Sequence, residues 1–108
     1  MEDLDREMAE VMGWKYIRYT GKYWVYQDEH DTFFLVPRDF HPSTDIAQAF
    51  QVVGKMIEGG WRLTICVYPD QEKTAEFWKA GFSYYKCHEQ LATAICLAAK
   101  AAKKALEE

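Results

Sequence analysis

The chain has 108 residues, 49% hydrophobic and 28% charged: the size and composition of one globular domain spanning 1–108, without a disordered bias or the ~20-residue apolar run that a bilayer span needs. With 17 acidic against 13 basic side chains the net charge is −4, so an extended phosphate backbone meets a repulsive mean field and long nucleic acid is not an expected partner. The acidic start Met1-Glu2-Asp3-Leu4-Asp5 is the opposite of a secretory leader and points to the cytoplasm of the host cell, with no membrane partner.

A first helix is expected from about Asp3 to Met12, with Leu4, Met8, Val11 and Met12 on one apolar stripe. Gly13, tolerant of positive φ, closes it. Trp14–Tyr19 and Lys22–Gln27 read as a hairpin around Thr20-Gly21, and Phe33–Val36 as a third strand. Tyr23 and Val25 share one side of the second strand, Trp24 and Tyr26 the other, so both sides carry large apolar groups. The second helix is capped by Ser43 or Thr44. Ile46, Ala49, Phe50, Val53 and Ile57 form its expected buried stripe, Gly59-Gly60 stops it, and a close packing contact is the expected reason for Gly54.

Trp61–Tyr68 is the clearest strand: Trp61, Leu63, Ile65 and Val67 point one way, Arg62, Thr64, Cys66 and Tyr68 the other. Thr74–Ala80 and Phe82–Cys87 follow around Gly81, with a helical turn at Glu76–Lys79 as the competing reading. The last helix starts near Leu91, with Ile95, Ala98, Ala99, Ala102 and Leu106 along one side. No internal repeat stands out. Short turns between consecutive strands imply antiparallel pairing. The expected class is α+β: one mostly antiparallel sheet of roughly four to six strands, sandwiched between helical layers made by three helices.

Cys66, Cys87 and Cys96 form no CxxC pair and have no metal-ligand spacing, so free thiols are expected, with no metal and no cofactor. Lys100, Lys103 and Lys104 read as the cationic finish of a helix. His30, His41 and His88 have no i+3 or i+4 partner of a catalytic or metal motif, and no nucleophile stands with a base and an orienting group, so no catalytic residue is assigned and an enzyme is not expected.

Three segments carry a resemblance: Val11-Met12-Gly13-Trp14, then Phe40-His41-Pro42-Ser43-Thr44-Asp45-Ile46-Ala47-Gln48-Ala49 with Val52-Val53 and Gly60-Trp61, then Ala94-Ile95-Cys96-Leu97-Ala98-Ala99. In their order and spacing they resemble the phage ABA-sandwich domain, a small domain of bacteriophages and prophages. The resemblance implies a sheet between helical layers and a phage or prophage origin, and it implies no reaction.

Two features suit ligand binding. Ser43 and Thr44 at a helix start, with Arg38 and His41 just upstream, offer donors to an anion, although Asp45 competes for the same amides. The aromatic excess, with Trp24, Tyr26 and Trp78 beside Arg18 and Arg62, suits either an oligomer interface or a pocket that stacks a flat ring. The expected function is non-enzymatic: a homo-oligomer that sequesters a small anionic, nucleotide-like immune signal, by analogy with the setting in which phage proteins work. The alternatives are an adaptor that docks a host protein by its aromatic surface, and a small phosphodiesterase that would use His41 or His88.

Overall fold

The computed structural model describes residues 2–20, 23–28, 32–37 and 40–107. Along the chain these form α1 (Glu2–Val11), β1 (Lys15–Tyr19), β2 (Tyr23–Gln27), β3 (Phe33–Pro37), α2 (Ile46–Glu58), β4 (Arg62–Cys66), β5 (Lys73–Lys79), β6 (Phe82–His88) and α3 (Leu91–Glu107). The class is α+β with three helices, as the sequence predicts. The strands do not join into one sheet: β1-β2-β3 and β4-β5-β6 are separate antiparallel meanders.

The element order α-β-β-β occurs twice, and its joints are alike. Met12-Gly13-Trp14 ends the first helix and Gly59-Gly60-Trp61 the second. Gly13 and Gly60 have φ of 84° and 93°, a conformation that costs a residue with a Cβ. Trp14 N donates to Ala9 O and Trp61 N to Met56 O, each at 3.1 Å; Gly13 N donates to Glu10 O and Gly60 N to Ile57 O, each at 2.9 Å. This closure turns the chain out of the helix and into the next strand.

An odd number of strands returns the chain to the end where the preceding helix began, so the three helices run the same way. Their starts meet at Ser43: its N–H donates to Asp5 Oδ1 of α1 at 2.9 Å, and Thr93 Oγ1 of α3 donates to its carbonyl at 2.6 Å. Their finishes gather around Val11, Met56 and Lys103.

The main core lies around α3. Ala92, Ala94, Ile95, Cys96, Ala98, Ala99 and Ala102 are buried around its circumference, not along one side alone, because α1 and α2 pack on it as well as β5 and β6. Alanine keeps those neighbours close. A smaller cluster of Ala9, Tyr26 and Phe40, with Trp14 against it, ties the first meander to α1. Trp14 stands 5.8 Å from Tyr26 and 5.3 Å from Phe40 between ring centroids.

Three local expectations are corrected. The buried stripe of α2 is Ala49, Val52, Val53 and Met56; Ile46, Phe50 and Ile57 are each about half exposed on the outside. Gly54 makes no close packing contact: a methyl built there meets nothing within 4 Å. The cap of α2 is Asp45, whose carboxylate accepts from Gln48 N at 3.1 Å, because Ser43 is drawn inward by Asp5 and Thr93.

Candidate functional site

The predicted site residues fall in three places. At the approach to α2, Ser43 is 0% exposed, so its hydroxyl offers nothing to a ligand. The first turn there satisfies itself. Gln48 Oε1 accepts from His41 N at 2.6 Å while Gln48 N serves Asp45; Thr44 Oγ1 lies 3.2 Å from His41 Nδ1 and 3.3 Å from His41 O. Asp45 thus occupies the position an external anion would take. Arg38 lies outside the described residues.

The second place is the first meander. Tyr26, expected to stack a ligand, is 1% exposed and packs in the small cluster with Trp14 and Phe40. Arg18 is exposed on β1 opposite Val25. Trp24 is in β2, and its side chain lies outside the described residues.

The third place brings two predicted residues together. Strand alternation sends Leu63, Ile65, Ala75, Phe77 and Tyr84 toward α3 and their neighbours away from it. On the outer side the register aligns three rows: Arg62, Trp78, Ser83; then Thr64, Glu76, Tyr85; then Cys66, Thr74, Cys87. No described element packs over this face. Trp78 is 37% exposed and Tyr85 63%. The Arg62 guanidinium carbon lies 5.0 Å from the centre of the Trp78 ring, within cation–π range. Trp78 Nε1 donates to Thr64 Oγ1 at 3.3 Å, which ties the indole to the neighbouring strand. Thr74 Oγ1 and Cys87 Sγ are 3.5 Å apart. Beyond β4, a hydrogen bond with the Cys66 side chain, then the negative charge of its thiolate form, hold the Tyr68 phenol above its ordinary pKa of 10.0.

At one end of the face a shallow hollow of about 460 Å³ opens between Thr64, Glu76, Trp78, Gly81, Phe82 and Ser83. The expected site holds Arg62 and Trp78 but not Thr64, Glu76 or Phe82, while Tyr85 belongs to the aromatic excess. Alternation along β4 carried part of that signal; the cross-strand register, which depends on the turn at Ala80-Gly81, carried the rest. The ensemble is an open aromatic and polar surface, with flat contact area, a fixed cation and a central carboxylate. His88 stands apart, at the end of β6, where Nδ1 accepts from Gln90 N at 3.0 Å.

The described helices include none long and apolar enough to cross a membrane. Residues 9–100 match a family model described as the phage ABA sandwich domain. Comparison with curated proteins and with solved structures gives no match.

Proposed function

Because the chain belongs to the phage ABA sandwich domain family and is a small phage-associated domain, we propose that it works by binding, without turnover, and that its working surface is the outer face of β4-β5-β6. The observation that carries this reading is the exposure of Trp78, Tyr85 and Arg62 on a sheet face that no described element covers. Tryptophan, tyrosine and arginine are the residues that dominate binding energy at protein interfaces. An open, flat face suits a protein partner better than a small ligand, which needs walls.

The occupant is a protein other than a second copy of this chain. Glu76 stands at the centre of the three rows, and a two-fold axis through that centre would set carboxylate against carboxylate. A partner with a basic group opposite Glu76 and an apolar surface for Trp78 and Tyr85 fits instead. In a phage setting the reading is an adaptor that docks on, and inhibits, a host protein.

One observation favours a second reading. Arg62 beside the Trp78 ring is the pairing that a stacked base and its phosphate would use, so the capture of a nucleotide-like immune signal shares this site.

The test compares wild type with an Arg62→Ala/Trp78→Ala double variant of unchanged circular dichroism and melting behaviour. The expected result is a protein from host lysate that, purified and remixed, binds wild type and loses at least ~100-fold in affinity for the double variant. Equal binding to both overturns the docking face. Saturable heat with a cyclic nucleotide or a cyclic ADP-ribose isomer, abolished by Arg62→Ala, replaces the adaptor reading with the second one.

A further inference from the structure

The outer edge of β6 pairs with no described strand. β6 pairs with β5 along seven residues without a bulge, and α3 packs on its inner side; no other described element touches it. Sheet edges are ordinarily blunted by proline, a bulge, shortness or repeated charge. Phe82–His88 has none of the first three, and Lys86 is its one lysine or arginine.

The turn shows which backbone groups are unpaired. Ala80 and Gly81 have φ of 48° and 90°, the left-handed pair of a two-residue type I′ hairpin. In such a hairpin the flanking residues, here Lys79 and Phe82, form a hydrogen-bonded pair, and bonding then alternates along the ladder. Phe82, Tyr84, Lys86 and His88 therefore direct N–H and C=O toward β5. Ser83, Tyr85 and Cys87 direct theirs outward, away from the sheet.

We propose that this edge is the seat of a second copy of the chain, its own β6 laid antiparallel on β6 with the two-fold axis at Tyr85. In that register Ser83 faces Cys87 of the other copy, Tyr85 faces Tyr85, and Tyr84 faces Lys86. All three outward N–H groups of each strand then find outward carbonyls. Moving the axis to Tyr84 or Lys86 leaves one outward residue of each strand beyond the pairing, and the axis at Lys86 also sets two ammonium groups against each other, which is unfavourable. The Tyr85 register instead places each Lys86 beside an aromatic ring. Self-complementarity of this kind is what a two-fold dimer requires of a surface, and it is the argument for a second copy over an unrelated strand. The joined sheet has six strands, with both α3 helices on one side and both Arg62–Trp78 patches on the other.

The test is a charge swap at the axis. Tyr85 is 63% exposed, so Tyr85→Lys and Tyr85→Glu leave the monomer core untouched; circular dichroism checks this. Sedimentation equilibrium at micromolar concentration should give wild type a mass near twice the 12.7 kDa of one chain. Each swapped variant alone should dimerise at least ~10-fold more weakly, and an equimolar mixture of the two should recover the dimer. The Trp78→Ala variant should dimerise as wild type does, which separates this edge from the docking face. A wild-type monomer at 100 µM overturns the proposal. So does a dimer indifferent to both Tyr85 variants, or one lost on Phe50→Glu in α2, or a monomer that accepts an unrelated β-strand peptide instead.

Discussion

Cys96 lies fully buried on α3 among alanines, within the field of the Asp5 carboxylate. Burial, and then the charge of Asp5, push its thiol from 9.0 up to about 12. In the unfolded chain the same thiol ionises near its ordinary value. Its contribution to stability is therefore intact below pH 9 and is lost as the pH climbs from 9 toward 12, at a slope of at most ~1.4 kcal/mol per pH unit. Tyrosines and lysines also titrate there, so the measurement is a difference. The gap in urea-unfolding free energy between wild type and Cys96→Ala should shrink between pH 8.5 and pH 11.5, and parallel curves would refute the coupling. At the same scale, Ser43 shows where local sequence rules fail. A serine before a helix satisfies the capping rule, but its backbone is claimed by Asp5, 38 residues earlier, and by Thr93, 50 residues later. Neither bond leaves a trace in the neighbouring residues, so an anion site at Ser43 was an inference from proximity alone.

Helix α2 carries apolar residues on two sides. Periodicity of 3.6 detects both stripes and does not choose between them. Ile46, Phe50 and Ile57 have the larger side chains, but α3 packs against Ala49, Val52, Val53 and Met56, with which its own alanines mesh at short range. Gly54 belongs to the outer side, where nothing lies within 4 Å of an added methyl. Gly54→Ala should therefore stabilise the protein by up to ~1 kcal/mol, since alanine restricts the unfolded chain and favours the helix. A thermal melt or urea titration reads this directly; an unchanged or lower midpoint would show that Gly54 serves a contact outside the monomer. The strands were easier to read. Alternation along β4 separated Arg62 and Thr64 from Leu63 and Ile65 without help from the rest of the chain, as period-two patterns do when one face is buried. The fit of β5 against it was obscured because Glu76–Lys79 also satisfies a helical turn, and because the hairpin uses Ala80 at φ 48°, a conformation alanine seldom adopts.

For the whole molecule, composition and the α-β-α-β-α order made the class legible, while the division into two sheets was not. Short turns show that neighbouring strands pair, but not whether β3 and β4, with a helix between them, meet. The repeated α-β-β-β order was equally hidden, since its visible sign is only Gly-Trp after each of two helices. The two halves differ in how they are held. β4-β5-β6 share the large core with α1, α2 and α3, whereas the first meander is joined, among the described residues, through α1 and the cluster of Ala9, Tyr26, Phe40 and Trp14. Native-state hydrogen exchange should accordingly find the Val25 amide opening at least ~10-fold more readily than that of Phe77, by a local event that leaves the helices protected. Equal protection would mean that the whole chain opens as one.

Helices that share a direction also share an electrical sense. Each presents free amides where it begins and free carbonyls where it finishes, so three of them add where opposed neighbours would cancel. The charged side chains are set against that sum. Asp5 and Asp45 stand at the beginnings, and Lys55, Lys103 and Lys104 at the finishes, while Lys100, mid-way along α3, is bound to Glu7 at 3.2 Å. The molecule's polarity is thus masked. Acetylating Lys55, Lys103 and Lys104 would uncover it, leaving Glu10 and Glu58 beside the carbonyl ends as a single negative pole.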